Sequence, residues 1–190
     1  MVQILIRPND KFSISEMAQM AIEAGAAWIV LSVGNGDELR DEIRDITDMC
    51  RASGIILTCD NVELVREYGM HGVLTDGSKC SPAALREELG AEAIIGALAG
   101  SADAVLSLAR ADIDYAALAA GVSQATGLIA DVRSAGCEIP VVAYRPDMPL
   151  STEEALSLLS SGFSGICAGA HFFVGVSPVD EISTLLKSLR

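Results

Sequence analysis

Asp60 is the foremost polar side chain in this sequence that could carry chemistry. It ends the run Thr58-Cys59-Asp60 behind the apolar stretch Ile55-Ile56-Leu57, and Val62, Val65 and Tyr68 follow at near-helical spacing. A carboxylate there can hold a cation or orient a ligand. It can equally cap the helix beginning at Asn61, a contribution of roughly 1 kcal/mol. A second apolar run, Gly72-Val73-Leu74, leads to Thr75-Asp76-Gly77 and then Ser78-Lys79. Asp76 and Ser78 are candidate ligand contacts. Lys79 can place positive charge beside them, or be a solvated loop lysine. Arg145 closes a later apolar run and can grip a phosphate through two N–H groups, or pair with Asp147. His171 can act as acid–base or phosphate ligand, or pack among Phe172 and Phe173. Arg7, after the first apolar run, is a further candidate. His71 precedes its run instead of following it, and reads as structural.

Apart from His71, these groups share a position: each follows an apolar run and most precede a helical pattern. The runs are Val2–Ile6, Trp28–Val33, Ile55–Thr58, Gly72–Leu74, Ala93–Leu98, Tyr115–Leu118, Pro140–Tyr144 and Gly165–Ala168. Between them lie helix signals. Ser13 or Ser15 can cap a helix reaching about Glu23. Asp37 opens a charged helix to about Ser53, with Leu39, Ile43, Ile46 and Met49 facing inward. Pro82 stands at a first helical position, and Ser151-Thr152-Glu153-Glu154 is a helix start. Helices are also expected over Ser101–Ala109, Gly121–Ser134 and Pro178–Leu189. The strands lack period-two alternation, so both faces are buried. Eight such units predict a single (β/α)8 TIM barrel over residues 1–190, with its ligand site at the C-terminal ends of the strands. The alternative, an open doubly wound sheet, has no Gly-rich first turn to support it.

Composition narrows the partners. The chain has 190 residues, 51% of them hydrophobic and 4% aromatic, so the core is aliphatic. Net charge is −13, and the lysines are Lys11, Lys79 and Lys187. Such a field repels nucleic acid and anionic membranes, yet a local basic group can still hold a small phosphorylated metabolite. The apolar run from Gly165 to Val176 is too short to span a bilayer. The five cysteines are odd in number and contain no CxxC pair, which points to reduced thiols and a cytoplasmic setting. Cys59 and Cys80 lie near site loops and could pair on a metal, or be small buried thiols. A homo-oligomer is compatible with the sequence.

The spacing across the middle of the chain resembles the thiamine phosphate synthase/TenI family of small (β/α)8 barrels. The family's Ile-Asn-Asp and Ala-Asp-Gly-Val-His-Leu-Gly segments fall on Thr58-Cys59-Asp60 and on Met70 to Asp76. Arg86, Leu89-Gly90, Ile94-Ile95-Gly96, Asp114-Tyr115 and Ile139 to Ala143 also match. The resemblance implies a transferase of thiamine biosynthesis. Such an enzyme joins hydroxymethylpyrimidine diphosphate to thiazole phosphate with Mg2+ and releases pyrophosphate. On that reading Asp60 and Lys79 are the catalytic candidates, and Asp60 is the Mg2+ ligand. Arg145, His171, Asp76, Ser78 and Arg7 contact a phosphorylated heterocycle.

The family's polar motif after the second strand falls on Val30, Leu31, Ser32 and Gly34. Its second metal-binding Asp falls on Lys79, its Asn before Asp60 on Cys59, and its Ser after the fifth strand on Leu98. Ala119-Ala120-Gly121, Arg145-Pro146 and Ala170 occupy its later loops. The Ala-rich loop after the sixth strand would form an apolar floor able to accept a flat heterocycle, or simply a tight barrel end. These replacements leave two further readings open: a non-catalytic barrel, and a different barrel enzyme acting on a small phosphorylated metabolite.

Overall fold

Eight parallel strands close on themselves in chain order, each followed by a helix, in a computed structural model that describes residues 1–119 and 121–189. The strands are β1 Val2–Ile6, β2 Trp28–Leu31, β3 Ile56–Cys59, β4 Gly72–Thr75, β5 Ile94–Ala99, β6 Tyr115–Ala119, β7 Val141–Arg145 and β8 Gly165–Ala168. The helices are α1 Ile14–Glu23, α2 Arg40–Ser53, α3 Val62–Tyr68, α4 Pro82–Leu89, α5 Ala102–Leu108, α6 Val122–Ser134, α7 Thr152–Ser160 and α8 Pro178–Ser188. β8 pairs back onto β1, with Gln3 opposite Cys167. This is the (β/α)8 barrel expected from the eight alternating units. Among the described residues no helix is long and apolar enough to cross a membrane.

Strand alternation divides the core in two. Inside the barrel lie Leu5, Trp28, Val30, Leu74, Tyr115, Ala117, Val142 and Cys167. Between strands and helices lies a larger aliphatic layer, which includes Ile4, Ile6, Ile29, Leu31, Ile43, Ile46, Val141 and Ala143. The interior is plugged at its lower end. Trp28 and Tyr115 meet edge to face at 5.6 Å, and Trp28 Nε1 donates to Thr58 Oγ1 at 3.1 Å. That bond satisfies the indole, whereas among the described residues the buried Tyr115 hydroxyl and the buried side-chain amide of Gln3 have no hydrogen-bond partner.

Helix starts follow the expected chemistry. Ser13 and Ser151 each form a reciprocal capping box, with Glu16 and Glu154. Ser81 caps α4 ahead of Pro82. Two details differ from the sequence reading. Asp37 opens a short 3-10 turn, Asp37–Leu39, and α2 proper starts at Arg40. Its buried face is Ile43, Ile46, Thr47 and Cys50, with Leu39 and Met49 only partly buried against the core. Thr47 fits because its hydroxyl donates to the Ile43 carbonyl at 2.8 Å.

Candidate ligand site at the C-terminal mouth

A cavity of about 470 Å³ opens at the C-terminal ends of β2 to β5. Its floor is apolar: Leu5, Val30, Leu74 and Leu98, with Tyr144 as the far wall. Its rim is polar and comes from the loops after β2, β3 and β4: Ser32, Gly34, Asn35, Asp60, Asn61, Glu63, Asp76, Ser78 and Lys79. The size and the apolar floor with a few polar groups are those of a small-molecule site, for which volumes run from about 300 to 1,000 Å³.

Asp60 is held by the neighbouring loop. Its carboxylate accepts from Ser32 Oγ at 3.1 Å, Val33 N at 3.1 Å and Gly34 N at 3.4 Å. It does not cap α3. Asn61 does that, its side-chain oxygen accepting from Glu63 N and Leu64 N at 2.9 and 3.3 Å. The Asn61 amide donates to the Gly34 carbonyl at 2.7 Å, so the pair Asp60-Asn61 clamps both polarities of the β2 loop. Cys59 Sγ lies 3.7 Å from Asp60 Oδ1. Burial, helped by that carboxylate, pushes the Cys59 thiol up to about 12, which makes it inert at neutral pH.

The β4 loop is organised by its own side chains. Gly77 N donates to Thr75 Oγ1 at 3.0 Å and Ser78 N to Asp76 Oδ1 at 2.9 Å. Those Ser78 bonds hold the exposed Asp76 carboxyl below its ordinary range, and Lys79 adds a smaller effect in the same direction. Asp60, Asp76, Ser78 and Lys79 therefore share one cavity wall.

Arg145, His171 and Arg7 do not line that cavity. On β7, Tyr144 points inward and Arg145 outward, towards the helix layer. His171 lies beyond β8 with its ring 3.9 Å from that of Phe172. Arg7 bridges two loops through Nη1 to Asp147 Oδ1 at 2.7 Å. Its charge also favours ionisation of Tyr144, which burial opposes more strongly. His71 sits at the other end of the barrel, where its Nδ1 accepts from Leu57 N at 3.1 Å. Ala119 is exposed at the end of β6, Ala117 is inside the barrel, and Ala120 lies outside the described residues. Ser32, Asn61 and Tyr144 were missed by the sequence reading. Their signal was position just after, or on the inward parity of, a strand.

The Mg2+ expectation can be tested on the donor set. The donors to Asp60 come from side chain and backbone of one loop, and engage both of its oxygens. Asp76 bonds its own turn, and the wall they share carries a lysine. Among the described residues no group of three or more His, Cys, Asp or Glu is placed to hold a metal ion. These residues do not fit a hard dication that needs several free oxygens.

Residues 4–141 match the family described as thiamine monophosphate synthase. The chain belongs to that family. Curated thiamine-phosphate synthases are distant relatives over nearly full length. The protein from Bacteroides fragilis is 25% identical over 203 aligned positions, covering 98% of each chain. That from Bacteroides thetaiotaomicron is 26% identical over 207, covering 100% of this chain and 97% of its own. Among solved structures, thiamine phosphate pyrophosphorylase from Pyrococcus furiosus superposes with a TM-score of 0.83 at 18% identity, over 99% of this chain and 94% of that one. The thiamine monophosphate synthase match ends at residue 141, so Arg145 and His171 lie beyond it.

Proposed function

We propose that this chain is a thiamine phosphate synthase-type transferase whose mouth cavity binds the phosphorylated heterocycles of thiamine synthesis. The carrying observation is the cavity itself, with an apolar floor for a flat ring and a polar wall of Asp60, Asp76, Ser78 and Lys79. In the coupling, a thiazole nitrogen attacks the pyrimidine methylene carbon. The carbon–oxygen bond to diphosphate breaks, and the bonding electrons leave with pyrophosphate. Lys79 is the cation of the cavity wall that can meet that developing charge. Asp60 acts by fixing the β2 loop and so the shape of the wall, not by holding metal.

A second reading, a binding barrel that no longer couples, is favoured by the same wall. One lysine among Asp60, Asp76 and Glu63 is weak compensation for a diphosphate. One experiment separates the two. Purified protein is given hydroxymethylpyrimidine diphosphate and thiazole phosphate, with Mg2+ or with EDTA, and thiamine phosphate is measured. Product in both, lost in Lys79→Ala, is the expected result. Saturable binding without product selects the binding barrel. Product abolished by EDTA overturns the metal-free reading, and absence of any binding overturns the substrate class.

A further inference from the structure

The mouth cavity takes its lining from two layers that the barrel wall should keep apart. Leu5, Val30 and Leu74 belong to the interior of the barrel, while Val62, Val73, Cys80 and Leu85 belong to the layer between strands and helices. Adjacent strand residues face opposite sides, so Val73 and Leu74 line one cavity only where the wall is interrupted. Strand pairing shows the interruption. β3 pairs with β4 at Thr58 opposite Gly72 and at Cys59 opposite Val73, and then ends. β4 runs on to Thr75, held on its other side by β5, with Leu74 opposite Gly96 and Thr75 opposite Ala97. Beyond Cys59 the chain leans towards β2: Asp60 N donates to the Leu31 carbonyl at 3.0 Å, and the Asn61 amide to the Gly34 carbonyl at 2.7 Å. The β4 loop closes on itself through the Thr75 and Asp76 side chains. Among the described residues no hydrogen bond joins these two loops. Farther down, Arg66 Nη1 meets Glu88 Oε1 at 2.9 Å and ties α3 to α4, so the gap is confined to the mouth end.

We propose that this gap between β3 and β4 is an apolar side slot of the mouth cavity, and that it takes an unbranched aliphatic arm carried by the bound heterocycle. The inference rests on the mouth as the ligand site and adds what its ligand carries. Val62, Val73 and Leu85 offer no hydrogen bond, and the Cys80 thiol behaves as a small apolar group. A polar arm would lose its water there without replacement. Val73 and Leu85 are each 2% exposed, so the slot is too narrow for a second ring. Its opening into the cavity makes the occupant a substituent of the mouth ligand, not a separate molecule.

Thiazole phosphates with a methyl, ethyl or propyl group on the ring are titrated calorimetrically into the full chain. Affinity should rise about fourfold for each methylene. Val73→Ile, which adds one carbon to the slot wall, should remove the advantage of propyl over methyl. Equal or falling affinity along the series overturns the slot, and so does an unchanged advantage in folded Val73→Ile. Cys80 gives a second readout, on the parent chain and with no heterocycle bound. Alkyl methanethiosulfonates transfer their alkylthio group to a thiolate, forming a mixed disulfide and releasing methanesulfinate. The rate at Cys80, divided by that at the half-buried Cys137, should rise from methyl to propyl reagent. A flat ratio overturns the slot. A rising ratio in a chain that binds no thiazole phosphate removes the proposed function and leaves the slot standing.

Discussion

At the residue scale, Asp60 shows how a carboxylate can look catalytic and act through its neighbours. Its acceptors serve Ser32, Val33 and Gly34, so its charge organises the loop that forms one cavity wall. Asp60→Asn keeps the shape but turns one oxygen into an NH2 group, which faces donors. We expect a stability loss of about 1 kcal/mol in urea denaturation and faster amide exchange at Val33 and Gly34. The cysteines give an independent check on burial. Cys50, Cys59 and Cys167 are buried, and burial raises all three thiols, Cys50 to about 11 and Cys59 to about 12. Cys80 and Cys137 are half-buried. A thiol reagent at neutral pH should label Cys80 and Cys137 first, and the other three only as the chain unfolds.

At the element scale, the side-chain-capped starts of α1, α3, α4, α5 and α7 settle backbone donors that would otherwise compete for a ligand. The α7 start shows this with a testable pH dependence. Ser151 N and Oγ donate to Glu154, which holds its carboxyl below the ordinary 4.5. A carboxyl with a depressed folded pKa contributes stability above its unfolded pKa, and loses it as pH falls through the folded value. Glu154→Gln should therefore melt below the parent at neutral pH, and the two curves should converge in acid below about pH 4. Arg86 and Arg133 close the opposite ends of α4 and α6. Arg86 meets Asp114 at 2.8 Å, and Arg133 donates to the carbonyls of Cys137 and Ile139 at 2.8 and 2.9 Å. Both work as scaffold at the ends of their helices.

At the scale of the whole molecule, closure depends on strands that approach without side chains between them. A Cβ on Gly72 would lie 1.9 Å from the Ile94 carbonyl oxygen, where β4 meets β5. Gly127, exposed in α6, has open space around it. Gly72→Ala should cost at least about 3 kcal/mol or prevent folding, because backbone must move to admit it. Gly127→Ala should stabilise by about 0.5–1 kcal/mol, read in the same thermal melts. The contrast tests the register of the barrel, not the glycine content.

Eight alternating apolar runs and helix starts determined the barrel, because burial on both strand faces and capping are local properties written in residue type. Asp60, Asp76, Ser78 and Lys79 could be placed near one mouth for the same reason, since each follows a strand. The tertiary structure alone decided which way a strand-end residue points. Tyr144 and Arg145 are adjacent in sequence, yet one lines the cavity and the other is buried behind it. A one-residue change of register would exchange them, and register is set by pairing with β6 and β8, far away in the chain. The same holds for Asp60 and Asn61. Either could cap α3, and the β2 loop, brought alongside by β2–β3 pairing, left the capping to Asn61 and took Asp60 for itself.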